Sequence, residues 1–186
     1  VRTNLDSPPV VARGNDNGID AIHDALGSLA LVLDADMVTL ISRDPITNEM
    51  MHTHQWIASG VEIDIDFTDR EQMDLEGDVP WLYAQLARGE PVVISRASDF
   101  PDEAVNERNL CKQYGIEAVL WSPYFMADEV AGYIVLNTIK RSKDWTRSLL
   151  GELRIVGTIF SNALIFAPKA TSSALLSAKT RETILE

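Results

Sequence analysis

The stretch WLYAQLARGEPVVISRASDFPDEAVNERNLCKQYGIEAVLWSPYFMADEVAGYIVLNTIKRSKDW, Trp81 to Trp145, decides how this 186-residue chain folds. Pro80, just ahead of it, opens a short helix through Arg88, and Gly89 stands at the first position past its end. Glycine is favoured there because the chain must adopt a left-handed conformation. Pro91–Ser95 reads as a short strand. Asp99-Phe100-Pro101-Asp102 begins a helix running to Tyr114, closed by Gly115 in the same way. Ala118–Phe125 and Val130–Ile139 then read as two strands around a tight Ala127-Asp128-Glu129 turn.

Upstream, Ile19, Ile22, Leu26, Leu29 and Leu33 recur at helical spacing. Met37–Ser42 reads as a strand, Asp44-Pro45-Ile46-Thr47-Asn48 as a turn, and Glu49–Ile57 as the returning strand. Downstream, a helix runs from Thr146 to about Ala167 and meets Pro168, after which 172–186 is again helix-compatible. Residues 1–17, with Pro8-Pro9, Gly14 and three Asn, read as a flexible lead-in. The division expected is a lead-in over 1–17, one domain over 18–167 and the start of a linker or signalling helix over 168–186. Strands joined mainly as hairpins and interspersed with helices give the α+β class with an antiparallel sheet.

Composition narrows the function. Apolar residues make up 46% and charged residues 24%, as in folded soluble proteins. Acids outnumber bases by 28 to 16. A surface of that sign repels phosphate backbones, so no nucleic-acid contact is expected. The longest apolar runs, Leu29–Leu33 and Ala163–Ala167, are far too short to span a bilayer, so no membrane contact is expected either. The single cysteine, Cys111, excludes an intrachain disulfide and a multi-cysteine zinc cluster, which suits a reducing cytoplasm. The opening Val1-Arg2-Thr3-Asn4 is expected of a piece of a longer polypeptide. Between Glu62 and Asp78 lie eight acids against one base, Arg70, and self-repulsion makes this stretch an exposed loop.

The ordered set Trp81-Leu82, Arg88-Gly89-Glu90, Asp99-Phe100-Pro101, Glu103-Ala104, Glu107-Arg108, Gly115-Ile116, Pro123, Gly132 and Trp145 resembles the GAF sensor domains of bacterial signalling proteins. The resemblance covers about residues 18–167. It implies an antiparallel sheet of five to six strands flanked by helices, with the N- and C-terminal helices packed together. It also implies a non-catalytic sensory role ahead of an effector module in the same chain. A sensor histidine kinase is the favoured effector; a diguanylate cyclase or a transcription activator are the alternatives.

Trp56, Trp81, Tyr83, Phe100, Tyr114, Trp121 and Tyr133 fall on the elements that enclose the ligand cavity in that family. Ser95, Asp99, Arg108 and Ser122 are the candidate polar anchors, for a small molecule that the sequence does not identify. The same aromatics also suit an ordinary core. His52 and His54 alternate in one strand and would share a face, a metal or haem site in one reading and partly exposed polar residues in the favoured one. Asp64, Asp66, Asp69 and Glu71 are dense enough for calcium but lack the glycine of an EF-hand turn, so no metal is assigned. Cys111 is followed by Lys112, not the histidine of the family's bilin-attaching pairs, and it has no resolving thiol for reductase chemistry. No Asn-Lys dipeptide of the cyclic-nucleotide-binding members occurs. Covalent bilin, cyclic nucleotide and haem are therefore not expected. No phosphate loop, nucleophile elbow or metalloprotease motif is present either.

The last helix carries Leu149, Leu153, Val156, Phe160, Ala163 and Ala167 as a heptad-like seam, and Leu150, Ile155, Ile159 and Phe166 on a second face. Two apolar faces exceed what a helix lying on a sheet needs. The seams Ile22, Leu26, Leu29 and Leu153, Val156, Phe160, Ala163 are thus expected to pair across a homodimer as a four-helix bundle. A contrasting reading is a ligand-free domain that serves as a dimerisation spacer.

Overall fold

Helix α1 (Asn17–Leu33) leads into β1 (Met37–Arg43) and β2 (Met50–Ile57). A one-turn helix α2 (Leu75–Asp78) and α3 (Pro80–Leu86) follow, then β3 (Val92–Ile94), a 3₁₀ turn (Ala97–Asp99) and α4 (Val105–Tyr114). The long hairpin β4 (Ile116–Met126) and β5 (Glu129–Ile139) precedes α5 (Arg147–Phe166). This computed structural model describes residues 17–44, 46–63 and 74–166. The strands form one sheet in the order β2-β1-β5-β4-β3, every adjacent pair antiparallel. Most of the expected 1–17 lead-in and the expected segment 168–186 lie outside the described residues.

Seven consecutive residues are buried in each of β4 and β5, and six in β1. Such runs, where simple alternation would leave every second residue exposed, mean that the sheet is covered on both faces. On one face α1 and α5 set Ile22, Leu26, Ala30, Leu149, Leu153 and Phe160 against Val38, Leu40, Leu120, Tyr124, Ile134 and Leu136. On the other, α2, α3 and α4 set Leu75, Leu82, Leu86, Ala104 and Cys111 against Ile41, Val119, Trp121, Tyr133 and Val135. Neighbouring residues of β4 therefore feed different cores.

Tyr124 fixes how α5 lies on the sheet. Its hydroxyl is 2.6 Å from Ser42 Oγ and donates to the Ile41 carbonyl at 3.1 Å. Its ring lies so close to Gly157 of α5 that a Cβ there would sit 2.5 Å from Cδ1. Gly132 is equally tight against the Ile41 carbonyl and the Tyr124 hydroxyl.

Three expectations change. The acidic stretch is not loop throughout: Asp74 accepts from Gly77 N–H at 2.9 Å and starts α2, as a carboxylate does at a helix N-terminus. Its residues 64–73 lie outside the described ones. The helix expected from Asp99 begins only at Val105, because Pro101 holds Phe100 extended, at ψ 136°. Gly89 and Gly115 do have positive φ, at 71° and 67°.

The third concerns the seam expected to form a dimer. Ile22, Leu26, Leu153 and Phe160 are core residues of a single chain, with Leu29 and Val156 half-buried against them, while Ala163 is exposed. The sheet takes the more continuous apolar stripe of each helix first. The outer faces are left apolar instead: Leu31 is 77% exposed, Val32 81%, Ile155 64% and Ile159 59%.

Candidate functional site

The layer between α3, α4 and the sheet gathers four of the predicted aromatics. Trp81 stands edge-on to Phe100, with ring centroids 5.8 Å apart, and Trp121 tilts against Tyr133 at 5.7 Å. Trp121 and Tyr133 come from β4 and β5, while Trp81 is the second residue of α3 and remains half-buried. Burial pushes the Tyr133 phenol above its ordinary range, against a smaller opposing effect of the Arg43 charge.

The other predicted residues take different places. Trp56 lies on the opposite face, packed with the terminal-helix core and over Gly27 of α1. It pairs with Val38, whose side chain belongs to that core. Ser122 lies between Leu120 and Tyr124 in a buried stretch of β4. Arg108 donates to the carbonyls of Phe100, Pro101 and Asp102 at 3.4, 2.6 and 2.9 Å, so its guanidinium clamps the loop that Pro101 creates. Asp99 is exposed and pairs loosely with Arg96 at 3.9 Å. The Ser95 carbonyl accepts from the Lys143 N–H at 3.1 Å. Tyr114 is half-buried at the far end of α4, where it lines a recess of about 230 Å³ with Gln113, Glu62 and Ile63.

The backbone register is irregular where the two histidines stand. A register shift between Leu40 and Ile41 sets His54 opposite Leu40 and His52 opposite Ile41. Those two β1 residues belong to different cores. No group of three His, Cys, Asp or Glu able to hold a metal occurs among the described residues, and Asp64, Asp66, Asp69 and Glu71 lie outside them.

Glu107, so far only part of the family pattern, has a structural role of its own. This acid is 3% exposed on the inner face of α4, and its Oε1 accepts the Leu82 N–H at 3.0 Å. That bond satisfies one orphan donor in the first turn of α3, whose preceding residue Val79 offers no side-chain cap. One turn on, Cys111 is buried, and its thiol is pushed up to about 12 by burial, with the Glu107 and Glu117 charges adding to the shift. The signal was an acid inside the stripe Ala104, Glu107, Cys111, Tyr114, spaced as one helical face.

The GAF domain profile matches residues 17–164. This chain belongs to the GAF domain family. Over 146 residues, 77% of the chain, it is 24% identical to the methanogenesis regulatory histidine kinase FilI of Methanothrix harundinacea, and that match spans 16% of the kinase. The fold is similar to the GAF domain region of a putative membrane protein from Geobacter sulfurreducens PCA. The TM-score is 0.60 at 13% identity, covering 80% of this chain and 93% of that one. It is also similar to the far-red absorbing dark state of JSC1_58120g3 with bound biliverdin IXa. There the TM-score is 0.59 at 8% identity, with coverage of 78% and 89%. Covalent attachment of such a group needs an accessible thiolate. Cys111, buried and resistant to ionisation, does not fit that chemistry.

Proposed function

We propose that this GAF domain is the non-catalytic sensory module of a larger cytoplasmic signalling protein, a histidine kinase. It takes a small molecule non-covalently in the aromatic layer between α3, α4 and the sheet, and relays occupancy through α1 and α5. One observation carries the reading: the two cores share a single sheet, with Trp121 facing one layer while Leu120 faces the other. A ligand that shifts strand positions under α3 and α4 therefore alters the bed on which the terminal helices lie. Differential contacts in two packings are what such coupling requires, and 1–3 kcal/mol of bias is about the usual size. The likeness to a regulatory histidine kinase favours that effector. No described helix is long and apolar enough to cross a membrane.

The chain acts as a homodimer through the outer faces of its terminal helices, where Leu31, Val32, Ile155 and Ile159 are open to a second copy. Native mass spectrometry of the purified protein tests both parts at once. The expected spectrum is a dimer carrying extra mass that is lost on denaturation. A bare dimer that no added metabolite fraction loads supports the spacer reading instead, which the close contact of Trp81, Phe100, Trp121 and Tyr133 also favours. A monomer at every concentration overturns the dimer.

A further inference from the structure

We infer that Glu107 is the polar anchor of the aromatic layer. The ligand it selects carries a cationic or N–H-donating nitrogen on a flat apolar body, the class of aromatic amines and amidines. The inference rests on the reading that this layer binds a small molecule.

The carboxylate of Glu107 is divided in its duties. Oε1 holds the Leu82 N–H, while Oε2 is buried and has no hydrogen-bond partner among the described residues. Buried polar atoms are paired in the great majority of cases, and a carboxylate oxygen can accept only. The partner it lacks is therefore a donor. Among the described residues no cation supplies one, since Glu107 forms no ion pair there. Arg108, next in the chain, is directed to the carbonyls of Phe100, Pro101 and Asp102. Lys112 is exposed.

The surroundings set the rest of the ligand's chemistry. Glu107 lies beneath the first turn of α3, and Trp81, the residue before Leu82, is the half-buried aromatic that stands against Phe100. Leu82, Ala104, Phe100 and Cys111 make the remainder apolar. Rotation of Trp81 away from Phe100 would open a slot beside the first turn of α3, under which Glu107 lies. A flat ring fits such a slot, and a nitrogen at its end meets the acceptor. An anionic ligand meets an uncompensated acid and is rejected.

Benzamidine, benzyl alcohol and benzoate titrated into the full chain, read by tryptophan fluorescence, test the assignment. Benzamidine is expected to bind saturably and at least about tenfold tighter than benzyl alcohol, with no binding of benzoate. In Glu107→Gln, which keeps an oxygen for the Leu82 N–H, benzamidine should fall to the level of benzyl alcohol. Circular dichroism checks that this variant is folded, and the preference among the three probes in the unaltered protein stands without it. Equal binding of benzamidine and benzyl alcohol, or unchanged benzamidine binding in a folded Glu107→Gln, overturns the anchor while leaving the layer as a ligand site. Failure of all three probes to bind overturns the anchor and the ligand-layer reading together.

Discussion

Cys111 and Glu107 sit one turn apart on the inner face of α4, and the thiol is held protonated mainly by burial and then by the nearby carboxylate charges. Folding therefore favours the thiol over the thiolate. The unfolded chain releases this proton near the ordinary value of 9.0, the folded chain only at about 12. The contribution to stability is fully present below 9.0 and is lost as pH rises through that interval. Iodoacetamide at pH 8 is expected to leave Cys111 unmodified for hours in the folded protein and to alkylate it within minutes in urea. Comparable rates in the two states, measured by mass spectrometry, would refute the buried-thiol assignment. The burial of Cys111 is what a lone cysteine within a helix suggests by default. The sequence hid the role of Arg108, because a guanidinium that clamps three carbonyls of an irregular loop leaves no periodic trace.

At the scale of elements, hairpins and helix C-terminal turns were readable because Gly89, Gly115 and the two long apolar runs on either side of a short turn are local signals. Which face of a strand serves which layer was not readable. Trp56 and Trp121 are both large aromatics on strands, yet they belong to opposite cores, and only the pairing of β2 with β1 decides this. The register shift between Leu40 and Ile41 was hidden for the same reason, since an extra residue in β2 leaves no local signal. The terminal helices show the limit of periodicity most clearly. The two apolar stripes of α5 were visible, but the stripe assigned to the dimer is the one the sheet covers. Leu153, 1% exposed, and Ile159, 59% exposed, test this division. Leu153→Ala should cost about 2–5 kcal/mol in urea unfolding, as buried leucines do. Ile159→Glu should change unfolding at dilute protein concentration by no more than about 0.5 kcal/mol. It should also shift sedimentation from dimer to monomer. Equal destabilisation by both substitutions contradicts the orientation of α5.

Across the whole molecule, the turn that ends α1 and the connection that begins α5 are tied into one cluster. Arg141 donates to Asp36 Oδ2 and Oδ1 at 3.1 and 3.0 Å, to Asp34 Oδ2 at 2.9 Å and to the Asp34 carbonyl at 2.7 Å. Lys143 adds a 2.9 Å bond to Asp34 Oδ2, and the Ile139 N–H donates to Asp36. An isolated exposed ion pair contributes little, but a planar guanidinium with four bonds to two residues defines a geometry. The hydrogen bond from Lys143, then the Arg141 charge, holds the Asp34 carboxyl below its ordinary range. The Asp34 part of the cluster thus stays charged at neutral pH and is lost only as pH falls through values below the usual carboxylate range. In the proposed relay, a change in the sheet that moves β5 would reach α1 and α5 together, since the segments leading from α1 and into α5 meet in this cluster. Arg141→Gln removes it without touching the aromatic layer. In hydrogen exchange at pH 7, amides in the last turn of α1 and the first turn of α5 should exchange several-fold faster, while those of α4 keep their rates. High salt should carry the unaltered protein part of the way, because screening acts on the exposed half of the cluster. Uniform acceleration along the chain would mean that Arg141 supports the fold as a whole, and unchanged exchange at both helix ends would mean that the two helices are held independently. Either result removes the cluster as the joint of the proposed relay.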